Sequence, residues 1–163
     1  MACGTSDTFV SSELQRKESG QLGPKYVISR GRLPDGHPWL LTAYRRARGQ
    51  ICFGQAWRVK DGGSYEGKCT SDDKAREAIE SQVTYPVRGD EPLYMMGIII
   101  DTEHARYLHA RRGDATQDFR LIRNTHFPRD AFYIGLIKVT PVPETVELID
   151  ASGAVIQSMP FRS

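Results

Sequence analysis

The chain has 163 residues, a formal net charge of +2, 39% apolar and 26% charged residues. That is a globular composition, long enough to bury roughly two-thirds of the extended-chain surface without a staple. No run approaches the ~18 consecutive apolar residues that a helix needs to span a bilayer, so a helical membrane span is excluded within the sequence.

The small net charge hides blocks of opposite sign. Residues 25–60 carry eight Lys/Arg against Asp35 alone, residues 61–103 four against ten acids, and residues 104–129 six against two. A basic face can attract phosphate or an anionic surface. Solvated strands with outward arginines are the preferred explanation.

The first seven residues, Met-Ala-Cys-Gly-Thr-Ser-Asp, resemble the junction left when a bacterial lipoprotein precursor is cut at its lipobox. The resemblance makes Cys3 the lipid-bearing residue; an ordinary cytosolic start with an exposed thiol is the alternative. From Ser6 to Pro24 the chain is Ser, Glu, Gln, Lys and Gly with few apolar residues. Residues 1–25 are therefore predicted to be a flexible tether, with at most a transient helical turn near Glu13.

The domain is predicted to begin at Tyr26 and to run over residues 26–158, with 159–163 as a tail. Tyr26–Ser29 and Trp39–Tyr44 read as strands about a Pro34-Asp35-Gly36 turn, and Ile51–Val59 follows a basic turn at Arg45–Gly49. Trp39 and Trp57 are the natural core fillers. Residues 60–92 are predicted irregular, with one short helix over Ser71–Glu80, where a capping Ser precedes acids and helix formers.

The centre of the chain is Leu93–Ile122, whose short apolar runs separated by Asp, Thr and Gly read as consecutive strands joined by tight turns. Ala131–Val139 is a further strand, and Val146–Ile156 a closing hairpin about Ala151-Ser152-Gly153. Eight or nine short strands and at most one helix predict an all-β antiparallel sandwich, with a closed barrel as the architectural alternative.

Cys52 lies in a predicted strand and Cys69 after a Gly-rich loop, so the two could form a bridge while Cys3 stands apart. Such a bridge contributes about 3 kcal/mol in the loop-entropy picture. Two free thiols in a reducing cell is the alternative.

The pattern as a whole resembles a kind of secreted or lipid-anchored bacterial domain found in high-GC Gram-positive genomes. The residues that carry this are Gly31-x-Leu33-x-x-Gly36-x-x-Trp39, Gly49-Gln50-Ile51-Cys52, the second cysteine Cys69, Gly97–Asp101 with Ala105-Arg106, Phe127-Pro128-x-x-Ala131-Phe132-Tyr133, and Leu148–Ile156. The resemblance covers about residues 26–158 and implies an immunoglobulin-like sandwich with no activity.

Chemical constellations are sparse. No metal site is assigned; were one present, Glu103, His109 and His126 are the candidates, with Glu103 and His109 placed on one predicted strand at an even separation. No nucleophile elbow or phosphate-binding glycine loop occurs. Arg45, Arg46, Arg48, Arg120 and Arg123 form a possible binding face, but no interleaved aromatics accompany them, so nucleic acid is not expected. The Arg-Gly-Asp tripeptides at 88–90 and 112–114 are read as turns.

The expectation is an extracytoplasmic lipoprotein, membrane-attached only through an N-terminal lipid, that binds a protein or envelope polymer through the loops 60–92 and 124–130. No catalytic residue and no cofactor are assigned. The rivals are a metal-dependent or acid/base hydrolase using the His, Asp and Glu residues around 101–130, and a structural subunit of an envelope complex.

Overall fold

A computed structural model describes residues 3–59, 62–72, 78–86 and 92–163. The fold is all-β and antiparallel, with eleven strands and one α-helix among the described residues. The expected single domain over 26–158 divides instead into two compact units, Met1–Arg76 and Glu77–Ser163.

In the first unit, helix α1 (Cys3–Gln15) precedes a meander of four strands, β1 (Leu22–Arg32), β2 (Pro38–Arg45), β3 (Ile51–Val59) and β4 (Gly62–Cys69), in that order across the sheet. The predicted 34–36 turn forms as read. The Leu33 amide donates to the His37 carbonyl at 2.8 Å, the Asp35 carboxylate accepts the His37 amide, and Gly36 takes φ +91°. Between β2 and β3 the chain reverses through a 3-10 turn, Ala47–Gly49.

The predicted tether is wrong for residues 3–15, which are helical, and β1 starts at Leu22 rather than Tyr26. Composition misled because the segment is held by charge. Lys25 is wholly buried in its side chain, and its Nζ lies 3.2 Å from both Glu13 Oε1 and Glu18 Oε1 and donates to the Glu13 carbonyl. Arg16 closes the network on the same two carboxylates at 2.7 and 2.5 Å and sits 4.8 Å over the Tyr65 ring. Two cations thus meet two anions, and a buried charge is tolerated only when so matched.

The Gly-rich stretch taken as irregular forms β4, in register with β3 from Cys52↔Cys69 to Val59↔Gly62. Glycine is needed in this strand pair for close approach: a Cβ on Gly67 of β4 would lie 2.6 Å from the Tyr65 hydroxyl, and one on Gly54 of β3 2.2 Å from the Tyr65 ring.

The second unit is a sandwich of two sheets. One holds β5 (Ile79–Thr84), β6 (Tyr94–Ile99) and β9 (Ala131–Leu136) in the order β5-β6-β9; the other holds β7 (Ala105–Arg112), β8 (Ala115–Arg120), β10 (Thr145–Asp150) and β11 (Val155–Pro160) in the order β11-β10-β7-β8. Their facing residues, including Met95, Ile99, Leu108, Phe119, Tyr133, Val146 and Leu148, form one buried apolar cluster. Alternation within each strand produces this face.

Three expectations need correction here. β6 and β7 belong to different sheets rather than to one run of hairpins. Of the helix read over 71–80, residues 73–77 lie outside the described ones, and Ile79–Glu80 open β5. The supposed tail from residue 159 begins inside β11, whose pairing continues to Pro160. No helix among the described residues is long and apolar enough to cross a membrane.

Candidate functional site

Strand register brings three loops to one end of the second unit. Ile99 pairs with Ala131, Ala105 with Asp150, and Tyr107 with Arg120. The segments 100–104, 121–130 and 151–154 therefore all leave the sandwich at that end.

The first two loops are bound to each other by groups whose own exposure differs sharply. The Arg123 guanidinium donates to the Thr102 carbonyl, to the Ala105 carbonyl at 3.1 Å and to the Asp130 carbonyl at 3.5 Å. Asp130 is buried and accepts the Asp101 amide at 3.1 Å, while the Thr102 amide donates to the Arg129 carbonyl at 2.9 Å. Phe127, fully buried and edge-on to Phe132 at 5.3 Å, anchors the longer loop from below. Asn124 Oδ1 accepts the His126 amide and shapes its turn.

Asp101 takes φ +50°, a left-handed conformation that Asp tolerates better than most residues. Its carboxylate meets Arg129 Nε at 3.0 Å on the exposed side. A depression of about 190 Å³ is lined by Asp101, Glu103, His104 and Arg129. A second, of about 470 Å³ and more open, shares Glu103 and adds Thr102, Arg123, Asn124, Thr125 and Pro128. Exposed acid, base, amide and hydroxyl groups thus stand on a backbone that is tied down beneath them.

The expected site residues fare differently. Cys52 and Cys69 are joined by a disulfide, S–S 1.94 Å, across β3 and β4. Cys3 opens α1, and its side chain lies outside the described residues. The arginines are shared between the two units. Arg45 is exposed at the end of β2, Arg46 lies 3.7 Å from Cys69 Sγ, and Arg48 reaches Asp72 at 3.4 Å, all in the first unit. Arg120 is exposed on β8, and Arg123 is engaged by carbonyls in the second.

The Glu103/His109 pair does not form. Glu103 is in the loop before β7 begins at Ala105, and His109 Nδ1 is 2.6 Å from Asp118 on β8. His126 sits in the 121–130 loop. Among the described residues no three His, Cys, Asp or Glu side chains come together as metal ligands. The tripeptide at 88–90 lies outside the described residues. In the other, Gly113 turns with φ +55° and Arg112 is bound to the Val142 carbonyl and to Glu144.

Two things escaped the sequence. The recognition loops expected at 60–92 are partly β4 and β5, and Glu103 and His104, expected on one strand with His109, lie in the loop before β7. The one usable signal was Asp101-Thr102-Glu103, polar punctuation after three isoleucines. A further cleft, about 560 Å³ between α1 and the β3–β4 hairpin, is lined by Phe9, Arg16, Trp57 and Tyr65 among others; its Arg16 is already held by two carboxylates.

Compared with protein-family models, with curated proteins and with solved structures, the chain finds no match.

Proposed function

We propose that this protein is a lipid-tethered module of the cell envelope that binds a protein or envelope polymer through the three-loop end of its second unit. The observation that carries the reading is the cross-tie of the 100–104 and 121–130 loops, in which the Arg123 guanidinium donates to the Thr102 carbonyl and the Asp130 carboxylate accepts the Asp101 amide. It presents Asp101, Glu103, Thr125 and Arg129 with little entropy left to lose on binding.

The strand order supports an immunoglobulin-like reading. In that sandwich the first, second and fifth strands share one sheet, and the third, sixth and seventh the other. β5-β6-β9 and β7-β10-β11 repeat this pairing, with the fourth strand, β8, set beside β7. Loops at one end of such a sandwich are its customary recognition surface. The disulfide supports an oxidising compartment, and Cys3 with its small and polar neighbours supports the lipid anchor.

A photo-crosslinking residue at Glu103 or Thr125, compared with one at Asp114 in the opposite turn, tests the binding surface in native cells. Adducts to one partner from 103 and 125 but not from 114 are expected. Equal crosslinking from 114, or none from the loop end, overturns it. Anchoring has its own test: Cys3→Ser moves the protein from the membrane fraction to the soluble one, and an unchanged distribution sinks the lipoprotein assignment.

A further inference from the structure

A disulfide that serves only as a staple asks for no charge beside it, because neither sulfur is charged. The bridge between Cys52 and Cys69 has a cation against it. Tyr44, Cys52 and Cys69 stand in one row across β2, β3 and β4. Arg46, two residues beyond Tyr44 on extended backbone (φ −123°, ψ 174°), returns to that row and places Nη1 3.7 Å from Cys69 Sγ.

Arg46 is held there from two sides. Its amide donates to the Gln50 carbonyl at 2.9 Å, and Gly20, with φ +73°, lies so close that a Cβ would come 2.7 Å from the Arg46 Nε. The residue is half-buried, and among the described residues no carboxylate pairs with it. Divalent sulfur is a weak acceptor, so the guanidinium gains little from the oxidised bridge. It gains an opposite charge when the same sulfur is a thiolate.

The two cysteines also differ in access. Cys52 is 1% exposed on β3, an inner strand, whereas Cys69 is half-buried at the end of β4, an edge strand. A thiolate is favoured beside arginine and disfavoured in an apolar interior. Charge and access therefore select the same sulfur.

We propose that Cys52 and Cys69 form a thiol–disulfide exchange site entered at Cys69, where Arg46 holds the attacking thiolate and the co-reactant is an oxidant carrying an accessible disulfide. In the reduced chain the ladder from Phe53↔Lys68 to Val59↔Gly62 keeps the two thiols opposed. The Cys69 thiolate attacks one sulfur of the oxidant, forming a mixed disulfide and releasing the other sulfur as a thiolate. Cys52, as its thiolate, then attacks Cys69 Sγ, closing the bridge and expelling the oxidant's remaining sulfur. Two electrons pass from the cysteine pair to the oxidant, and the two thiol protons go to its two sulfurs. Opening by the reverse route expels Cys52 as a buried thiolate, a poor leaving group, so the exchange favours the bridge.

The test uses the full chain carrying Cys3→Ser, reduced and then exposed to glutathione disulfide, with adducts and bridge read by mass spectrometry. In the Cys52→Ser variant, Cys69 should take up glutathione at least about 10-fold faster than Cys52 does in the Cys69→Ser variant. With both cysteines present and oxidant limiting, Arg46→Gln should slow closure at about pH 7 by about 3-fold for each tenfold loss of thiolate, since the less acidic thiol is the better nucleophile. The difference should close or reverse at about pH 9.5, where most of a free thiol is ionised. The Arg46 measurement decides if a serine variant fails to fold, and the single-cysteine comparison decides if the Arg46 variant does. Equal rates at the two cysteines overturn the proposal, as does a closure rate that Arg46→Gln leaves unchanged or slows alike at both pH values.

Discussion

The two units cover their sheets by different means. In the second, a sheet covers a sheet, and the contact is apolar, from Met95 and Ile99 on one side to Leu108 and Val146 on the other. In the first, a short polar helix is fastened to the sheet by Lys25, Glu13, Glu18 and Arg16. Yet both use one device at the middle strand, a glycine under a tyrosine ring. Tyr65 lies over Gly54, and Tyr133 lies over Gly97, where a Cβ would come within 2.5 Å of the ring. Tyr65 is half-buried beneath two cations, whereas Tyr133 is fully buried and bonded to Ser81 at 2.5 Å. Apolar burial is non-directional; a buried charge network leaves an uncompensated charge when one member is removed.

The largest effect is expected where that network loses a member. Lys25→Ala leaves Glu13 and Glu18 with Arg16 alone and should cost about 3–5 kcal/mol. Urea unfolding followed by tryptophan emission reads it, since Trp39 and Trp57 both lie in the first unit. A loss no larger than that of an exposed lysine would show that α1 is held by something else.

Next is the apolar contact: Leu108→Ala should cost about 3 kcal/mol through lost burial and a residual cavity, visible as faster hydrogen exchange of the β6 and β7 amides. Slower or unchanged exchange would break the contrast from the other side. Replacing both Cys52 and Cys69 by Ala should cost about 3 kcal/mol, because the bridge closes a 17-residue separation. A variant as stable as the parent would leave β4 held by its ladder alone.

The tyrosines make the comparison depend on pH. Burial pushes the Tyr133 phenol above its usual value, so its neutral form is favoured in the folded state. That contribution is complete below about pH 10, where the unfolded phenol titrates, and is lost as the pH rises further. Alkaline unfolding should begin near there and move upward in Tyr133→Phe; an unmoved transition would assign it elsewhere.

The smallest effect is in the β10–β11 turn, where the Ser152 hydroxyl, then the Ala154 amide, hold the Asp150 carboxyl below its usual range. Its contribution is present above about pH 4 and fades as the carboxylate is protonated. Asp150→Asn should flatten the acid side of the stability curve slightly, and an unaltered acid limb would remove the turn from the account.

Much of the fold was legible because it rests on local pattern. Pro34-Asp35-Gly36, the apolar run of β6 and the Asp150–Gly153 turn announce themselves through alternation and turn chemistry. The candidate site was legible only in part. The 124–130 loop was expected, but Arg123 was expected to face a ligand and instead bonds to carbonyls, which no local pattern encodes.

The sequence by itself determined the strand periodicity, the turns and the presence of two cysteines that could be joined. Tertiary structure decided the rest: that Cys3–Gln15 is helical, that Gly62–Cys69 is a strand, and that the chain divides near Arg76. The reason is that each depends on a partner distant in sequence: Glu13 on Lys25, Gly54 on Tyr65, Cys69 on Cys52. A local window contains one side of such a contact, and its free energy exists only when both sides meet.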